Sequence, residues 1–127
     1  MANIFLIGIG GFIGAILRYT IGAQSQQLFK SVTFPFGTLV VNVLGCLAIG
    51  VLSYLVDTRG ALSPGQRVML MSGLLGAFTT FSSFSLETLN LMIAGQLSAA
   101  LGNLAANNLL GLAAVWLGRA LPLAIWR

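Results

Sequence analysis

The side chains in this sequence that could act on another molecule are mostly neutral hydrogen-bond donors set along apolar runs. Thr38 and Asn42 stand four residues apart, Asn103 and Asn107 repeat that spacing, and Gly111 continues their line. Residues four apart share a helical face, so two polar stripes are predicted. Five of the seven residues at 79–85 are hydroxylic. Around them Phe81 and Phe84, at i,i+3, share one side of a helix, while Thr80, Ser83 and Glu87 share a neighbouring one.

Covalent chemistry is poorly served by this inventory. There is no histidine, one cysteine (Cys46), and only Asp57 and Glu87 as acids. No metal site of ordinary His/Cys/Asp/Glu spacing, no Ser-His-Asp or Cys-His arrangement and no glycosidase-type carboxylate pair can be built. The chain is therefore expected not to be an enzyme. Gly8, Gly10, Gly11 and Gly14 resemble a nucleotide-binding glycine run, but no strand precedes them and a helical span contains them, which favours a packing role. Cys46 cannot form an intrachain disulfide and reads as a small buried hydrophobe.

Neutral donors inside membrane spans commonly just join helices, at about 0.6 kcal/mol per hydrogen bond. That reading suits Asn108, which lies off the stripe. For Asn42, Asn103 and Asn107 together with residues 79–85, the accumulation of donors points to a conduction path. A cation path calls for rings of carboxylates or carbonyls, and Glu87 is the single acid within the spans. An anion path calls for hydroxyl and amide donors, which are abundant. Ring edges are electropositive, so Phe81 and Phe84 could also receive an anion. A fixed cation at mid-span would hold a small hard anion too tightly to release it, and none is present.

These residues must be positioned by membrane helices. The chain has 127 residues, 57% hydrophobic and 6% charged, with a mean hydropathy of +0.99. So small a protein cannot bury that much apolar surface in its own interior, so lipid must cover the rest. Four stretches reach the roughly 20 apolar residues that cross a bilayer, at about 3–23, 37–56, 67–93 and 97–121. They predict one all-α integral membrane domain. The first stretch lacks a charged n-region and a convincing cleavage site, and so reads as a span, not a signal peptide.

Lys30, Asp57, Arg59, Arg67, Arg119 and Arg127 fall between or outside the runs; Arg18 and Glu87 do not. The net charge of +4 reads as interfacial anchoring, because no basic cluster interleaved with aromatics suggests nucleic acid. Basic residues divide four against two between the faces, a weak bias that leaves insertion in both orientations open. The third stretch is longer than one crossing needs, and its glycines followed by hydroxyls predict a break in mid-membrane. Irregular backbone there must be buried in protein or face a water-filled cavity. The pair Gly10 and Gly14, with Gly8, Gly11, Ala15 and Gly45, predicts close helix packing. Four such thin helices make poor pore walls alone, so at least a dimer is expected.

Three stretches carry a family resemblance: residues 11–19 (GFIGAILRY), 37–45 (GTLVVNVLG) and 73–87 (GLLGAFTTFSSFSLE). In order, spacing and four-span length the chain resembles the Fluc/CrcB fluoride channels over essentially its whole length. The resemblance implies an antiparallel, dual-topology homodimer with two fluoride pores, multi-pass in the bacterial inner membrane, which passively exports fluoride and relieves its toxicity. It also implies pore linings from Phe81 and Phe84, a pore donor at Asn42, and a vestibule position for Arg18. A structural sodium ion at the dimer centre would be held by the main-chain carbonyls of Gly76 and Thr79. Glu87 matches an acid near the pore or an interfacial structural pairing. Thr38, Thr80, Ser83, Asn103 and Asn107 complete the candidate pore. Here the chain departs from the family, whose fourth helix commonly presents a tyrosine and serines where this one has Asn103, Asn107 and Gly111.

Two rivals remain open on sequence. A small multidrug-type proton-coupled exporter also packs four short spans, but it needs a carboxylate in its first helix, and this chain has none there. A non-transporting scaffold would use the polar residues only as glue. Pattern alone does not separate a channel from a coupled exchanger, although the scarcity of titratable groups in the spans leans against proton coupling.

Overall fold

The computed structural model describes residues 1–125; the interfacial charge Arg127 lies outside the described residues. Every described element is helical. Helix α1 (Ala2–Phe29) and helix α2 (Phe36–Arg59) are long single rods. The third span is composite: a capped turn α3 (Pro64–Arg67), a π-helical segment (Val68–Leu75), a short α4 (Gly76–Phe78) and then α5 (Phe81–Ile93). Helix α6 (Leu97–Ile125) closes the bundle. Four helical stretches are long and apolar enough to cross a membrane, so the protein is a multi-pass membrane protein with its third span broken.

The break is two residues long. Thr79 (φ −82°, ψ 159°) and Thr80 (φ −149°, ψ 117°) are extended, and α5 resumes at Phe81. Thr80 caps the new helix, its hydroxyl accepting from the Ser83 N–H at 3.2 Å, so hydroxyls that compete with the backbone here stop one helix and start the next. The other turns follow ordinary chemistry. Ser63 and Gln66 form a reciprocal capping box with Pro64 at the first helical position. Gly95, at φ 73°, takes the left-handed conformation between α5 and α6.

Helices meet backbone to backbone. A Cβ on Gly10 or Gly14 would run into Met69 O or Leu74 O of the third span, and one on Gly118 into Leu47 O of α2. The Gly10/Gly14 pair thus packs α1 on the π-helical segment, and Gly50 and Gly118 bring α2 onto α6. Gly45 leaves room for the break itself, since a Cβ there would overlap the Thr79 Cγ2 methyl. A small core of Val41, Leu75 and Phe78 lies beside it. Large apolar side chains such as Phe5, Phe12, Leu112 and Trp116 point outward, as a lipid-covered or partner-covered surface requires.

Candidate functional site

The break is held by a side chain from another helix. Asn42 of α2 accepts the Thr80 N–H on Oδ1 at 2.9 Å and returns an N–H from Nδ2 to Thr80 O at 3.2 Å. One amide side chain thus pairs with one extended residue as a neighbouring strand would. Asn42 Nδ2 also donates to Asn107 Oδ1 at 3.0 Å. Asn107 Nδ2 donates to Asn103 O and Oδ1 at 3.1 and 2.9 Å, Asn103 Nδ2 to Thr88 Oγ1 at 2.9 Å, and the Thr88 hydroxyl to Phe84 O at 2.7 Å.

Asn42 of the first stripe and Asn103 and Asn107 of the second therefore join into one relay across three helices, anchored by Asn103 at 0% exposure. Thr88, also buried, is a member that the sequence reading missed. Its one local signal is the i,i+4 spacing from Phe84. Asn108 stays outside the relay and donates to Leu104 O of its own helix.

Two cavities meet at the break. One, of about 390 Å³, is lined by Asn42, Thr79, Thr80, Phe81, Phe84 and Asn107, with Gly76 and Cys46 at its wall. The second, of about 290 Å³, holds Arg18, Thr38, Thr80, Ser83 and Glu87. Thr80 borders both. All twelve predicted positions except Asn103 thus line one or the other cavity, and Asn103 sits behind them as the relay's anchor. The two rings differ: Phe84 is 6% exposed and packed in, whereas Phe81 is 80% exposed on the single chain. Their centroids are 5.6 Å apart at 55°, a tilted arrangement that turns edges and faces toward each other.

In the second cavity the Thr38 hydroxyl donates to Glu87 Oε1 at 2.6 Å, while Glu87 Oε2 is buried with no partner. Thr80 directs its hydroxyl onto Ser83 Oγ at 3.1 Å. Arg18 shares the cavity with Glu87 without an ion pair to it; the pair found among the described residues is Arg119–Asp57, at 3.0 Å. A broader recess of about 410 Å³ continues past Arg18 and Glu87 under the loop at residues 31–35. That loop is tied down by Gln26, which donates to Ser31 O and Phe34 O and accepts the Gly37 N–H.

The carbonyls of residues 76–79 lose their helical donors at the break. In an unbroken helix the Thr80 N–H would close onto Gly76 O and the Ser83 N–H onto Thr79 O. Here they go to Asn42 Oδ1 and Thr80 Oγ1. Backbone oxygens released in this way suit a hard cation. Among the described residues no cluster of three or more His, Cys, Asp or Glu side chains offers an alternative metal site.

A family profile described as CrcB-like protein, Camphor Resistance (CrcB), matches residues 5–119. A fluoride-specific ion channel, FluC 1, of Methanosarcina acetivorans is 46% identical over 94% of this chain and 89% of that protein. Fluoride-specific ion channels FluC of Chloroflexus aurantiacus and Nitratidesulfovibrio vulgaris are 46% and 44% identical, each over 93% of this chain. A match of this extent, on a four-span fold with its third span broken, makes the chain a member of the CrcB family.

Proposed function

We propose that this protein is a fluoride channel, as the names of its relatives suggest, and that it lets the ion leave the cell passively. The observation that carries the reading is the meeting of Asn42, Phe81 and Phe84 at an interrupted helix. Arg18 is the cation at the recess that attracts anions toward it, opposite Glu87. From there a fluoride ion passes the hydroxyl-lined cavity of Thr38, Thr80 and Ser83 and reaches the break. Water is replaced there by the Asn42 amide and by the edges of Phe81 and Phe84. None of these groups carries a full positive charge, so the ion is bound weakly enough to move on.

The working unit in this reading is an antiparallel homodimer with chains inserted in both orientations. A partner then covers the exposed Phe81. The freed carbonyls of Gly76 and Thr79 would hold a sodium ion, which supplies a fixed charge that ties the two breaks together. What favours a sodium site there is the diversion of the helical donors of Gly76 O and Thr79 O to side chains.

Fluoride efflux from liposomes containing the purified chain, read with a fluoride electrode, tests the reading. The expected result is rapid efflux that is indifferent to chloride. It should fall by more than about tenfold, a barrier increase of at least about 1.4 kcal/mol, in Phe81→Ile and in Asn42→Asp. Wild-type liposomes that release no fluoride would refute the channel, and unaltered flux in both variants would refute the site.

A further inference from the structure

The relay has a direction, and its two ends enforce it independently. A carbonyl oxygen only accepts, so the Thr88 hydroxyl must donate to Phe84 O. Thr88 Oγ1 must then accept from Asn103 Nδ2, which turns Asn103 Oδ1 toward Asn107. Asn107 answers with Nδ2, leaving its own Oδ1 to face Asn42. At the other end the Thr80 N–H can only donate, which places Asn42 Oδ1 on the break and Nδ2 toward Asn107. Both N–H groups of Asn42 are consequently engaged, one by Thr80 O and one by Asn107 Oδ1. An anion that uses Asn42 must displace one of these oxygens.

The two are not equally replaceable. Thr80 O belongs to a doubly bonded pair, since the Thr80 N–H returns to the same amide. Asn107 Oδ1 is a single side-chain acceptor on another helix, and Asn107 is half-buried beside the cavity.

We propose that Asn107 is a resident competitor at the anion site: its Oδ1 occupies the Asn42 N–H while the site is empty, and the anion exchanges with it. The proposal rests on the fluoride-channel reading and adds a positioning role that the reading does not contain. A charge-assisted bond is stronger than a neutral one, so the anion wins the exchange. It wins by less than it would over an idle N–H, and the site empties faster. This chain reaches weak binding at Asn42 by supplying a substitute acceptor.

The full chain in liposomes is assayed for initial efflux rate against fluoride concentration. Removal of the competitor in Asn107→Ala is expected to lower the half-saturating fluoride concentration by about threefold to tenfold, the range of one net hydrogen bond. The maximal rate should fall with it, because the ion leaves more slowly. Asn107→Asp keeps an acceptor toward Asn42 and is expected to move the half-saturating concentration upward.

A merely structural Asn107 would lower the maximal rate in both variants without shifting half-saturation in opposite directions, and that result overturns the proposal while leaving the channel intact. Should Asn107→Ala fail to fold, the side-chain amide resonances of asparagine-labelled native protein serve as the second measurement. Fluoride must move the signals of both Asn42 and Asn107. Movement of Asn42 alone, or of neither, overturns the exchange.

Discussion

At the residue scale, the asparagines show what spacing can and cannot reveal. That Asn42, Asn103 and Asn107 face a common interior was legible in their intervals of four on helices. The partner of each amide was not, because hydrogen-bond direction is set by residues 15 to 65 positions away. Asn103 illustrates the difference, since sequence offers it as a pore donor and the fold buries it as an anchor. Replacing it by alanine takes away the Oδ1 acceptor of Asn107, which keeps only its bond to Asn103 O, and leaves the buried Thr88 oxygen without its donor. The expected cost is about 1–3 kcal/mol, seen as a lower thermal midpoint of the detergent-solubilised protein. Asn108→Ala removes only an exposed bond within one helix and should shift that midpoint little.

At the element scale, the glycine and hydroxyl content of residues 73–85 located the break, yet the break is narrower than the hydroxyl run. Ser82, Ser83 and Ser85 are already helical, because Asn42 pairs with a single extended residue and Thr80 caps the helix beyond it. The π-helical segment just before the break could not be read from composition: its sequence, VMLMSGLL, is that of an ordinary apolar helix. Glycine roles are likewise decided by contacts. Gly118→Ala would drive a methyl into Leu47 O and Gly50→Ala one into Val115 O, and both are backbone atoms that cannot step aside. Either variant should lose most of its folded, monodisperse protein on size-exclusion chromatography. Gly8 has open space around it, and Gly8→Ala should be tolerated, gaining up to about 1 kcal/mol from helix propensity.

At the scale of the whole molecule, four helices and their apolar surface were legible because bilayer thickness imposes a length that any sequence must display. Assembly is less legible, since lipid and a second protein surface ask for the same residues. Two copies of the 13.3 kDa chain are expected in detergent, and light scattering that subtracts bound detergent would measure this directly. The outer ends of α2 and α6 are joined by Arg119 and Asp57, whose side chains are 51% and 55% exposed. Such pairs contribute less than about 1 kcal/mol, so Arg119→Ala should leave both thermal midpoint and flux nearly unchanged.

The interruption midway along the third span also has an electrical meaning. Peptide dipoles aligned along a helix leave about half a positive elementary charge at its beginning and half a negative one at its end. The stretch that finishes at Phe78 and the one that begins at Phe81 therefore set opposite poles side by side, far from either bilayer surface. The first pole favours a cation and the second an anion, so a single gap of two threonines can serve ions of both signs without placing one formally charged residue between them.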